Sequence, residues 1–333
     1  MISFSSFCTQ LSDSGKTLFE SPAWKTAKTK LDAFEIEGVT SNLPMAVTFK
    51  LVHKTSKTPA TMRVMRKWLT CSSKAYYANY QRFFFNYQNK GKMFLQINCV
   101  VETPAFLAIV TDFLPYGSLF DYINPTFPDR RRTIDESSLT FFAAKLLDIL
   151  EEVHNDHKIL FALKPEDILI VSPNEFVISH ITYSKLSLKD LSDHTILDAP
   201  EYLPPEVIME RPMVQASDFW QLGILLYECL TGITPFQQSA GSETMNAIVK
   251  SPLYFPPKSL QNISQECQDF IQTLLEKDET KRARLTAPQL REHPFMRSIQ
   301  KESVFVLDDF VPEPMLPLKG KMIDKIALRE LKD

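Results

Sequence analysis

Between Glu37 and Glu102 the chain carries ten cations and no acid: Lys50, Lys54, Lys57, Arg63, Arg66, Lys67, Lys74, Arg82, Lys90 and Lys92. The rest of the sequence holds 27 basic against 40 acidic residues, so a net charge of −3 conceals a strong asymmetry. Cations massed in this way steer anions toward one region. A solvated basic face with no ligand produces the same composition and is the simpler reading. The five cysteines, Cys8, Cys71, Cys99, Cys229 and Cys267, are odd in number and scattered, with no C-x-x-C. That spacing suits a reducing compartment and no zinc site. Glycine is scarce. There are eight, where ordinary usage near ~7% gives roughly 23. A loop that wraps phosphates with bare backbone has little to be built from.

The elements that must position any such chemistry follow from hydrophobic patterning. No apolar run approaches the ~18 residues of a membrane span, and Met1–Lys16 lacks the basic start and apolar block of a secretory signal. A cytoplasmic protein is the expectation, with the nucleus left open. Residues 1–33 read as a flexible arm with a short helix near Trp24–Leu31. Strands are predicted at Phe34–Val39, Met45–His53, Thr61–Met65, Met93–Val101 and Phe106–Phe113, with one helix over Ser72–Tyr87. From Leu139, the apolar positions Phe142, Ala143, Leu146, Leu150 and Val153 recur at helical spacing. Asp218–Leu230 is apolar nearly all round, which places that helix at the centre of a domain, and Gly232 stops it. Thr286-x-x-Gln289 reads as a capping box. The whole is α+β, a β-rich lobe at 34–113 followed by a helical lobe at 114–296. The tail, 297–333, has an acidic-apolar stretch at Val304–Phe310 and a short helix at Met322–Leu331.

Five ordered motifs carry a resemblance. They are Asp112-Phe113-Leu114-Pro115-Tyr116-Gly117-Ser118-Leu119, Ala199-Pro200-Glu201-Tyr202-Leu203-Pro204-Pro205-Glu206 and Asp218-Phe219-Trp220-Gln221-Leu222-Gly223. Leu274-Leu275-Glu276-Lys277-Asp278-Glu279-Thr280-Lys281-Arg282 and His293-Pro294-Phe295 follow. In this order they resemble the hinge, activation-segment end, D-x-W-x-x-G motif, late L-L-x-x-D-x-x-x-R motif and closing triplet of the eukaryotic protein kinases. The likeness covers about 34–296 and implies the bilobal kinase fold. It implies that Glu206 pairs with Arg282, and that Asp218 holds the backbone of the catalytic loop. It also places the hinge at Asp112 and Leu114, where adenine contacts are made largely by backbone. Pro200–Leu203 and Leu253–Pro257 resemble basophilic Ser/Thr kinases of the cyclic-nucleotide- and lipid-regulated type.

The same resemblance shows what has been lost. Phosphoryl transfer needs a group to position the hydroxyl, metals to neutralise charge and a cation on the phosphates. The family's H-R-D-L-x-x-x-N falls on Leu160-Phe161-Ala162-Leu163-Lys164-Pro165-Glu166-Asp167. Ala162 stands for the base, and Phe161 for the arginine that clamps an activation-loop phosphate. Lys164 is kept, and Asp167 replaces the metal-binding asparagine with a carboxylate that could still ligate Mg²⁺. The D-F-G triplet falls on His180-Ile181-Thr182, where His180 is a poor ligand for a hard cation. V-A-I-K falls within one residue of Thr61-Met62-Arg63-Val64, so that Arg63 keeps charge without the compact ammonium. Arg82 or Gln81 stands where its acidic helix partner belongs. The phosphate loop falls on Thr40-Ser41-Asn42-Leu43-Pro44-Met45, with Gly38 the only glycine nearby.

The expected function is therefore that of a pseudokinase, a scaffold or allosteric partner in signalling whose own partner is a protein such as an active kinase. No cofactor is expected, and ATP with Mg²⁺ binds weakly or not at all. Two alternatives are a residual Ser/Thr kinase with Asp167, Asp190 or Asp193 as displaced carboxylates, and an anion-binding module built on the basic lobe. There is no clear nucleic-acid signal. Thr195 reads as an exposed loop threonine, since Phe161 is no receptor for its phosphate. Arg130-Arg131-Arg132 reads as a solvated loop or a docking site.

Overall fold

The computed structural model describes residues 2–3, 33–43, 46–66, 93–95, 97–102, 106–124, 132–160, 163–172, 175–178, 200–256, 263–297 and 316–317. The chain divides into two compact units. One is Met1–Cys71 with Leu95–Pro115 and Val311–Asp333, and the other is Ser72–Phe94 with Tyr116–Phe310.

The first unit is an antiparallel sheet. Its strands are β1 (Ile2–Ser3), β2 (Phe34–Leu43), β3 (Ala46–His53), β4 (Pro59–Arg66), β5 (Ile97–Glu102) and β6 (Phe106–Asp112), in spatial order β1-β2-β3-β4-β6-β5. Alternating apolar residues meet in cross-strand rows. Ile36 faces Leu51, which faces Ala60, and Phe49 faces Met62, which faces Val110. All six are buried. Side chains that alternate across a pleat line one face together, so this row is the core of the sheet. Arg63 belongs to the other parity, opposite Thr48 and Ile109.

Two expected strands differ from those observed. β2 does not stop at Val39 but continues to Leu43, with bulges at Glu37 and Thr40. With no glycine-rich stretch to open a loop, the chain keeps pairing. The expected strand Met93–Val101 is broken. Its second half is β5, while Phe94 forms an isolated parallel bridge to Ile178 in the other unit's own core. The helices expected at 24–31, 72–87 and 322–331 lie outside the described residues.

The second unit is helical. Its central pair is α2 (Glu136–Asn155) and α4 (Gln215–Thr231), with α1 (Leu119–Ile123) and α3 (Pro205–Ile208) beside them in sequence. α5 (Gly241–Lys250), α6 (Gln265–Leu274), α7 (Glu279–Arg282), α8 (Ala287–Arg291) and α9 (Pro294–Arg297) complete it. A hairpin of β7 (Ile168–Ser172) and β8 (Glu175–Ile178) lies between α2 and α3 in the sequence.

Each helix starts and stops for a local reason. Asp135 caps α2 by accepting from the Ser137 and Ser138 amides at 3.0 Å. Fourteen of the seventeen residues of α4 are buried, as an all-apolar central helix requires. Gly232 ends α4 at φ 76°, a left-handed conformation that a side chain strains. At α8 only the forward half of the expected capping box is present, the Gln289 amide reaching Thr286 Oγ1 at 3.4 Å. Among the described residues, no helix is long and apolar enough to cross a membrane.

Candidate functional site

The residues expected to brace the helical unit come together. Arg282 and Glu206 are both fully buried. Arg282 Nη2 donates to Glu206 Oε2 at 2.5 Å, its Nε to the Ala216 carbonyl at 2.8 Å and its Nη1 to the Glu276 carbonyl at 2.5 Å. The other carboxylate oxygen of Glu206 accepts from Ser217 Oγ at 2.6 Å. The guanidinium also lies over the Trp220 ring, 5.5 Å from its centroid. One buried cation thus ties α3, α4 and the segment before α7 into a single block. A pair satisfied this fully fixes geometry more than it adds net stability.

Asp218, also fully buried, forms a second brace. Its Oδ2 accepts from the Leu160 amide at 2.8 Å and lies 2.8 Å from His154 Nε2. Gln215 Nε2 adds bonds to the His154 and Lys158 carbonyls at 2.7 and 3.3 Å. The carboxylate of α4 therefore grips the chain where the catalytic-loop run begins. Sequence reading did not single out His154 or Gln215. Their signal was present: His154 sits in the last turn of α2 and Gln215 three residues before Asp218.

Downstream, Pro165-Glu166-Asp167 forms one 3₁₀ turn preceded by Lys164. Asp167 is buried and Lys164 half-buried. Glu201 feels burial first, which pushes its carboxyl above the usual range. The Glu166 carboxylate adds to that rise, and the Lys164 ammonium opposes it. Tyr202 Oη donates to Glu228 Oε2, and its phenol is pushed well above normal by burial and by the charges of Glu228 and Glu166. The Glu166 carboxylate thus acts on both Glu201 and Tyr202. Motif spacing gave no role to Glu228, because the residue answers to a tyrosine 26 positions away rather than to its own neighbours.

In the sheet unit, Arg63 lies on β4, and its Nε is buried without a hydrogen-bond partner. Lys50 is not part of a free basic face. Its Nζ is 2.8 Å from Glu37 and 4.9 Å from the centroid of the Phe113 ring. The hinge residues differ in exposure, Asp112 open to solvent and Leu114 half-buried. Immediately beyond, Gly117 at φ 71° turns the chain, and Ser118 and Asp121 cap α1 reciprocally. Arg132 packs over the Tyr122 ring at 5.3 Å, so this third arginine of the loop run is committed to its own unit. Ala162, Phe161, His180–Thr182, Asp190, Asp193, Thr195 and Arg130–Arg131 lie outside the described residues, as do Gln81 and Arg82.

Comparison with known proteins agrees with the braces. A protein kinase domain is matched over residues 45–296, more than half of the chain. The chain belongs to the protein kinase family. It is 31% identical over 230 residues to a RAC family serine/threonine-protein kinase homolog of Dictyostelium discoideum, covering 68% of this chain and 49% of that one. It is 29% identical over 243 residues to the serine/threonine-protein kinase sgk-1 of Caenorhabditis elegans, covering 72% and 47%. Myosin light chain kinase 2, skeletal/cardiac muscle, of Bos taurus is 26% identical over 211 residues, covering 63% and 33%. The chain spans a third to a half of the length of these curated relatives.

Within this kinase domain, Asp167 is one buried carboxylate, on the turn that Lys164 precedes. Among the described residues, no group of three or more His, Cys, Asp or Glu gathers to hold a metal. In the sequence, Ala162 offers no proton acceptor and His180 no oxygen. Cys229 and Cys267 are free and buried, and burial pushes both thiols up, which disfavours the thiolate.

Proposed function

We propose that this protein is a pseudokinase, a kinase domain that acts by binding rather than by phosphoryl transfer. It serves as a scaffold or allosteric partner of another signalling protein, of which an active kinase is the leading class. One contrast carries the reading. The bracing groups Glu206, Arg282 and Asp218 make a full set of buried contacts, while the sequence places Ala162 at the base and His180 at the metal ligand. Loss of a general base costs roughly 10²–10⁴-fold, and loss of a charge-stabilising group costs ~10²–10³-fold. Such effects are not additive, yet together they take a family rate of ~1–100 per second down by several orders of magnitude.

The test is a thermal-shift titration with ATP, with and without Mg²⁺, beside a phosphotransfer assay on protein substrates. A ligand that binds only the folded state raises the midpoint with log concentration above its Kd. The expected result is no shift that requires Mg²⁺ and no transfer. Robust transfer to protein substrates overturns the proposal.

A second reading, a residual Ser/Thr kinase, is favoured by the retained Lys164 and by the carboxylate of Asp167 on the turn that follows it, and by the kinase names of the relatives. It predicts a magnesium-dependent shift that Asp167→Ala abolishes. Binding of an anion to the basic lobe is the third. It predicts salt-dependent affinity, and the engagement of Lys50 by Glu37 removes one cation from its count.

A further inference from the structure

β2 has two edges. One is paired along its whole length with β3, from Phe34↔His53 to Leu43↔Ala46. The other is covered by two short segments from distant parts of the chain. Ile2 and Ser3 lie opposite Ile36 and Glu35. A further strand, β9 (Leu316–Pro317), lies opposite Val39 and Gly38. The segments meet at Glu37, where β2 also bulges against β3.

We propose that this outer edge is a strand-docking site whose resident ligand is the chain's own segment around Leu316–Pro317, held by an exchangeable pairing. Directly opposed antiparallel residues alternate between pairs that exchange both backbone bonds and pairs that exchange none. Pro317 has no amide N–H, so Val39–Leu316 is the pair able to exchange both. A proline at this place is what an outermost strand tolerates. A single such pair is weak enough to open. Continuing its register sets Leu318 opposite Glu37 and Lys319 opposite Ile36, the position that Ile2 already occupies. One edge therefore has two claimants, and lengthening the C-terminal strand expels residues 2–3. An uncovered sheet edge is a template for added strands. Release of the resident segment exposes that template beside the hairpin of β2 and β3. The inference does not depend on whether the protein transfers phosphate.

The test is amide hydrogen exchange on the full chain. It compares the unmodified protein with Leu316→Pro, which removes the N–H that Leu316 gives to the pair, and with Leu316→Ala, which keeps it. The expected result is exchange about tenfold faster across residues 36–43 in Leu316→Pro only, with residues 215–231 unchanged as a reference for the other unit. Equal exchange in all three proteins overturns the proposal. Protection that rises with protein concentration assigns the edge to a second copy and overturns the assignment to the same chain. If Leu316→Pro also loosens 215–231, Val39→Cys with Leu316→Cys decides. An intramolecular disulfide supports docking, and its absence under oxidising conditions overturns it.

Discussion

Arg282 makes four contacts from a fully buried position, three through hydrogen and one through the Trp220 ring. Replacing it by methionine leaves Glu206 charged and buried, with two carbonyls lacking their donor. Breaking such a pair from one side costs about 3–5 kcal/mol, so urea unfolding of Arg282→Met is expected to show a loss of that size. The double variant with Glu206→Leu is expected to lose less than Arg282→Met alone, since no charge remains stranded. Glu201 gives a pH prediction. Burial, with Glu166 beside it, holds its folded-state proton to higher pH than the unfolded value of 4.5. The stabilisation that comes with the bound proton is complete below pH 4.5 and is lost as pH rises through the folded value. Glu201→Gln is therefore expected to raise the melting temperature at pH 7 by about a degree or two, and to leave it unchanged at pH 4. Of these groups, Glu206, Arg282 and Asp218 were legible in the sequence because their motifs resemble those of the protein kinases, and the resemblance implies their partners. His154 and Glu228 were not, because their partners are set by how α2 and α4 lie against the chain rather than by any local run.

A close fit between elements lies at Gly223, in the middle of α4. A methyl added there would sit 2.8 Å from Leu275 Cγ and Cδ2 and 3.0 Å from Leu274 Cβ, at the C-terminal end of α6. Overpacking of this kind costs about 1–3 kcal/mol. Gly223→Ala is expected to lower the denaturant midpoint accordingly, and Leu275→Ala in the same chain is expected to recover part of the loss by making room. This glycine serves close approach, whereas Gly232 serves a left-handed stop. The helices were readable because their periodicity and caps act within a few residues: α2 and α4 begin and end within three residues of the reading from pattern alone. The strands were less so. Nothing in the composition of Thr40–Leu43 says that it continues β2, since only pairing with β3 holds it extended. Met93–Leu95 is apolar like a strand, yet Phe94 spends its burial on the helical unit.

At the scale of the whole molecule, the proposed loss of phosphoryl transfer draws on positions along the whole kinase domain. In the run that resembles the catalytic loop, Ala162 stands where the family carries its base. The sheet unit offers Arg63 on β4, and its hairpin runs paired to Leu43 with Gly38 as the one glycine of β2. No acid stands anywhere between Glu37 and Glu102 to hold an Arg63 counter-charge in the family's manner. Positioning and charge stabilisation do most of the work in this reaction, so under the proposed reading restoring two side chains does not by itself restore transfer. Ala162→Asp with His180→Asp, which restores base and metal ligand together, is therefore expected to stay more than ~10²-fold below a family rate of ~1–100 per second. A Mg-ATP assay on a basic peptide checks this. Recovery to within tenfold of that range would show that the hairpin and Arg63 already hold nucleotide. The loss would then be confined to two side chains, and binding of nucleotide, rather than of a protein partner, would be the property the rest of the fold has kept.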